Sequence, residues 1–244
     1  MSARLVPVLP GVTQIRGGLV NCYLIADADG LVLIDAGMPA DERHILHAID
    51  ASGHALRDLR LILITHADGD HVGCAARLQA AARAAGGAAR LCVPAGEAAS
   101  LAAGKQSREL RAQGLLKVAL RLVASVFAFK PLACDATLAD GELLPVLGGL
   151  QVLNTPGHTP GHCSFYAGGS ALLFAGDAFK NMGGQLRLSK GFNTWDERAA
   201  LHSAVRLSAL EPAVMCMGHG PVLRAAAPAM QRVIAAHKRR LQIG

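Results

Sequence analysis

Residues 59–71, LRLILITHADGDH, constrain this chain more than any other stretch. A continuous apolar run of this length reads as a strand buried on both faces. It ends directly on His66, Asp68, Asp70 and His71, four side chains of metal-ligand type within six residues. Strand ends deliver side chains to a sheet edge with little freedom, which a metal site needs. In extended chain alternate residues share a side, so His66 and Asp68 can converge on one ion. Asp70 and His71 sit at the turn into a helix and can face a second ion. Gly69 permits the tight backbone turn between the pairs. Two neighbouring cations suit a set in which carboxylates offset their mutual repulsion.

The rest of the chain supplies a scaffold for such a site. With 244 residues, 52% of them hydrophobic and 17% charged, the chain is too apolar for disorder. It is also long enough to bury a core without disulfides or a structural metal. A metal here is therefore functional rather than a folding staple. No apolar run approaches the ~18 residues of a spanning helix, and the N-terminal MSARLVPVLPGVTQ does not read as a secretory signal. Six scattered cysteines without a CxxC pair suit reduced thiols. Together these features lead us to expect a cytoplasmic protein.

The net charge of +6 is unevenly spread. Residues 105–130 (Lys105, Arg108, Arg111, Lys117, Arg121 and Lys130 against Glu109) and residues 222–244 (Arg224, Arg232, Lys238, Arg239, Arg240) are each strongly basic, and the remainder is acidic. With aromatic residues at only 4%, stacking platforms for nucleic acid are scarce. Solvated helix faces are the expectation.

Local patterns predict interleaved strands and helices. Residues 22–27 and 31–35 read as a β-hairpin around Asp29-Gly30, 40–52 as a helix, and 71–85 as a helix stopped by Gly86-Gly87. A strand is expected at 90–93. Residues 96–130 show helical spacing, with an amphipathic stripe at 115–129 that suits core packing or a lid better than a membrane surface. Strands follow at 143–147, 150–155, 163–167 and 171–175, then a helix at 195–209, a strand at 213–217 and a helix at 224–242. His44, His47, His54, His202 and His237 lie alone and read as surface or hydrogen-bonded residues. Cys163 beside His162 does not make a nucleophile pair, because neighbours in a strand face opposite ways.

His66-Ala67-Asp68-Gly69-Asp70-His71 resembles the HxHxDH signature of the metallo-β-lactamase superfamily. The resemblance extends through Asp35 in LVLIDAG, the TPGHTPGH element at 155–162, Phe174-Ala175-Gly176-Asp177, and Met217-Gly218-His219-Gly220-Pro221, so it spans about residues 12–223. It implies an α/β fold, a four-layer αββα sandwich, with residues 1–244 as one domain carrying a helical insertion at about 96–130. Position by position, it implies one metal held by His66, Asp68 and His158. A second would be held by Asp70, His71 and His219, with Asp177 bridging. Asp35 would support a ligand from behind, and His162 would lie near the site without binding metal.

One departure stands out: Asp68 occupies a position where the family has His. An added carboxylate hardens the site and shifts preference from zinc toward iron or manganese without excluding zinc. The flavodiiron branch is similar at this position, but it works with a flavin domain for which this chain offers no segment.

The resemblance implies two divalent ions and a metal-bridging hydroxide that attacks an ester, lactone or thioester carbonyl, with Asp70 orienting it and shuttling its proton. The expected partner is a small-molecule substrate with an apolar portion; a homodimer is compatible with the sequence. Three alternatives remain open at this point. They are an iron-dependent oxidoreductase of the sulfur dioxygenase kind, a phosphodiesterase or nuclease, and a binding member without turnover.

Overall fold

The structure, a computed structural model, describes residues 4–108 and 128–243. The chain divides into two compact units, one formed by residues 1–106 and 127–138, the other by 107–126 and 139–244.

The first unit is built on a seven-stranded sheet. Its strands are β1 (Arg4–Leu9), β2 (Val12–Arg16), β3 (Asn21–Asp27), β4 (Gly30–Ile34), β5 (Leu59–Leu63), β6 (Arg90–Pro94) and β7 (Ala136–Leu138), paired in that order. Pairing is antiparallel from β1 to β4 and parallel from β4 to β7. The helices are α1 (Glu42–Ala51), α2 (Gly69–Val72), α3 (Ala75–Ala84) and α4 (Ala98–Ala103). Ile45 and Ile49 of α1 and Leu78 and Ala82 of α3 pack with Leu31 and Leu33 of β4 and Ile62 of β5 in one buried cluster. Val32 and Ile34, on the other face of β4, are just as buried. This is why the strand shows no polar alternation.

Two strands here escaped the sequence patterns. β1 holds Pro7, and the Pro10-Gly11 turn separates it from β2, signals that normally argue against a strand. Pro is tolerated because β1 is the sheet's edge, with no outer strand beside it among the described residues. The helix expected at 71–85 is broken in two. Gly73 N donates to Gly37 O at 2.8 Å and Ala36 N to His71 O at 2.7 Å. The loop after β4 is thus stitched to the break. In the 96–130 region helix forms over Ala98–Ala103; the rest of the expected insertion lies mostly outside the described residues.

The second unit holds a six-stranded sheet ordered β15-β14-β11-β10-β9-β8. The strands are β8 (Leu143–Leu144), β9 (Leu150–Asn154), β10 (Cys163–Ala167), β11 (Leu172–Phe174), β14 (Val214–Cys216) and β15 (Leu223–Arg224). β12 (Phe179–Met182) and β13 (Gln185–Leu188) form a separate hairpin. Gly183 and Gly184, both at positive φ, make its two-residue turn. The sequence patterns assign no strand to this segment, although the Gly-Gly pair signals the hairpin. Helices α5 (Glu197–Ser208) and α6 (Ala226–Leu241) bury Leu201, Ala204, Leu207, Met230 and Ile234 with Leu153, Leu173 and Met215. Asp196 caps α5 by accepting from Arg198 N and Ala199 N.

The six cysteines all lie among the described residues and form no disulfide. Five are buried, and burial pushes the Cys74 thiol up to about 12, so they act as small core residues. No helix among the described residues is long and apolar enough to cross a membrane.

Candidate metal-binding residues

In the first unit the expected residues follow the carboxyl ends of adjacent parallel strands, where α/β sheets place their ligand sites. Asp35 follows β4, the Thr65–His71 loop follows β5, and Glu97 follows β6. Asp35 adopts a left-handed φ of 57°, an uncommon conformation for a non-glycine residue. Its Oδ1 accepts from Thr65 N at 2.8 Å. Its Oδ2 accepts from Thr65 Oγ1 at 2.9 Å and from His71 Nδ1 at 2.8 Å.

These bonds settle where the protons sit. A carboxylate only accepts, so His71 carries its proton on Nδ1. The Thr65 hydroxyl spends its one hydrogen on Asp35. It therefore accepts from His66 Nδ1, 2.9 Å away. Both imidazoles thus offer an Nε2 lone pair, the form that binds metal. The two rings lie 4.1 Å apart and are fully buried.

Asp68 is extended, at φ −92° and ψ 145°. Its Oδ2 stands 3.5 Å from His66 Nε2, the same-side arrangement that alternation predicts. Asp70 Oδ2 lies 4.0 Å from His71 Nε2, and Asp70 is the more exposed of the two acids.

In the second unit the pattern repeats. β9 and β10 are antiparallel, β10 and β11 antiparallel, and β11 and β14 parallel. β9, β11 and β14 therefore run the same way. His158, Asp177 and His219 follow their carboxyl ends, and His162 precedes β10 at that same end. Asp177 Oδ2 is 3.4 Å from His158 Nε2 and 3.3 Å from His219 Nε2.

Ser189 Oγ donates to Asp177 O at 2.6 Å, so it accepts from His158 Nδ1 at 3.3 Å. His158 Nε2 is again the lone-pair nitrogen. His162 behaves differently. Its Nε2 accepts from Asp177 N at 3.0 Å and its Nδ1 bonds Thr155 Oγ1 at 2.8 Å. It holds the Asp177 backbone rather than offering a ligand, and neither ring nitrogen turns to Cys163.

The donor set fits divalent cations. Two atoms each ~2.0–2.2 Å from one ion at a tetrahedral angle lie about 3.3–3.6 Å apart. The separations of 3.5, 3.4 and 3.3 Å above match that spacing, and are long for charged hydrogen bonds of ~2.7–2.9 Å.

Two further residues were not anticipated. Glu97 is fully buried, and its Oε2 accepts from Ala67 N at 3.0 Å, clamping the loop between His66 and Asp68. Lys180 Nζ lies 2.6 Å from Asp177 Oδ2. In sequence each is a lone charged residue that reads as surface.

Imidazoles and carboxylates so placed at strand ends make the chain an α/β protein equipped for divalent metals. It belongs to the Metallo-beta-lactamase superfamily, whose sequence model matches residues 15–219. It is 31% identical over 223 residues to the uncharacterized protein YobT of Bacillus subtilis (strain 168), covering 88% of this chain and 89% of that one. It is 32% identical over 179 residues to a hydroxyacylglutathione hydrolase of Cereibacter sphaeroides, covering 72% of this chain and 52% of that one. Among solved structures it is similar to the metallo-beta-lactamase family protein TTHA1429 from Thermus thermophilus. That match has a TM-score of 0.72 and 26% identity, covering 97% of this chain and 82% of that one. The fold is that of the metallo-β-lactamase proteins.

Proposed function

We propose that this chain is a metal-dependent hydrolase of carbonyl substrates (esters, lactones or thioesters) that works with two divalent ions. In this reading His66, Asp68, Asp70, His71, His158, Asp177 and His219 would supply the ligands, and the ions would supply an activated water and a Lewis acid. The observation that carries it is the hydrogen-bonded set in which Asp35 and Thr65 fix His66 and His71 with their Nε2 lone pairs turned to a common side. Such pre-ordering is what ligand imidazoles need.

When bound, the ions make water a nucleophile near neutral pH and polarise the substrate carbonyl. Asp70, more exposed than Asp68, orients the attacking water and takes its proton. His162 and Ser189 hold the backbone of Asp177, and the Ser189 hydroxyl also accepts from His158 Nδ1. Asp68 adds negative charge and tunes metal choice toward harder ions. The similarity to hydroxyacylglutathione hydrolases makes a hydroxyacyl-glutathione thioester the first probe.

The test loads metal-free protein with zinc, manganese or iron. It then assays generic esters, lactones, thioesters and bis(nitrophenyl) phosphate. We expect carbonyl hydrolysis that a chelator abolishes and one of these ions restores. Asp68→His should bind zinc more tightly and change which ion activates best. Oxygen uptake on persulfide without carbonyl hydrolysis would assign an oxidoreductase instead.

A further inference from the structure

Asp177 Oδ2, faced by two of the candidate ligand imidazoles, also has a side-chain cation against it. His158 and His219 approach this oxygen at 3.4 and 3.3 Å, and Lys180 Nζ lies closer than either, at 2.6 Å. Asp177 is 2% exposed and the lysine side chain 21%. The ammonium therefore sits on a buried carboxylate, where little water screens it.

Its placement is fixed by the strand that carries it. Phe179, on one side, is fully buried in the core of the second unit. Asn181, on the other, donates from N to His219 O at 3.0 Å and from Nδ2 to Pro221 O at 3.2 Å. Alternation along β12 turns Lys180 away from Phe179.

A carboxylate oxygen has two lone-pair positions. With an ammonium on one, Oδ2 can take on two ions only by giving up the ammonium. We propose that Lys180 is a tethered cation that competes with metal for Asp177, so that the second ion binds the native chain weakly and exchanges readily. This inference rests on the metal centre proposed above. The lysine acts through Asp177, as a positioning residue.

The experiment titrates metal-free native protein, Lys180→Met and Lys180→Arg with zinc against a chromophoric chelator, with stoichiometry read by metal analysis. No turnover is needed. In Lys180→Met the more weakly held ion should bind roughly 10–100-fold tighter, the range seen when a partner of a metal-binding group is altered. Lys180→Arg keeps the charge and should stay near native. Unfolding in chelator gives a second readout. Without metal the Met variant should melt below native, because a buried carboxylate has lost its counter-charge, and zinc should raise its melting temperature more than it raises the native one. Should Lys180→Met fail to fold, Lys180→Gln makes the same comparison. Unchanged zinc affinity in a variant that still binds zinc overturns the role of Lys180 and leaves the metal centre standing. Equal tightening in Lys180→Arg also overturns it. Zinc binding by none of the proteins overturns both.

Discussion

One carboxylate organises two imidazoles here. Asp35 accepts from the Thr65 hydroxyl and from His71, and through Thr65 it also sets the proton on His66. Replacing it by Asn keeps the size but puts an amide, which donates, where one of the acceptors stood. Asp35→Asn is expected to fold and to bind zinc roughly 10–100-fold more weakly. Far-UV circular dichroism together with a chelator competition checks this; unchanged affinity would show that the Asp35 bonds do not prepare the imidazoles. Asp35 was legible in the sequence as a supporting residue because it closes an apolar strand within a family motif. Glu97 was not legible, since its burial depends on a contact with Ala67 thirty residues away.

Among the elements, the loops after the strands are held by contacts that admit no side chain. Gly220 sits at φ 88°, and a Cβ there would meet Asn181 O at 1.8 Å. The glycine of Met217-Gly218-His219-Gly220-Pro221 thus lets the His219 loop dock on β12. Gly157, before His158, is similar: an added Cβ would lie 2.4 Å from Ala200 Cα in α5. Gly220→Ala is expected to cost about 2 kcal/mol or more through strain and overlap. In a chain of this size that lowers the melting temperature by roughly 4–8 °C. Calorimetry measures it, and a shift under about 1 °C would mean the loop moves aside at no cost. The motif made these glycines visible, but not what they approach. The break at Gly73 was likewise hidden, because the composition of 71–85 is helical throughout and only the stitching to Gly37 divides it.

Across the whole molecule, each unit carries its own carboxylate staple. In the first, partial burial works to raise the pKa of Asp135, but the Leu91 N–H, Arg83 and Gln79 outweigh it and hold the carboxyl below its usual range. In the second, burial again opposes ionisation of Asp140, and the Asn154 N–H and Arg206 prevail. A carboxyl whose folded pKa is depressed contributes stability above its unfolded value of ~3.9, and loses it as pH falls toward the folded value. Asp135→Asn should therefore be less stable than native at pH 7, with the gap closing as pH drops below about 4. Urea unfolding across pH tests this; a constant gap would mean that the Asp135 charge plays no part.

The sequence by itself determined the family and the α/β character, and it named the candidate residues for metal. Such chemistry demands scarce residue types at short spacing beside a strand, and that is a local signal. Tertiary structure alone decided which imidazole nitrogens carry protons, that His162 accepts from the Asp177 backbone, and that Lys180 and Glu97 lie against the candidate ligands. Each of these depends on burial and on pairing between distant segments, and a lone Lys or Glu looks the same in sequence whether it meets water or a buried partner.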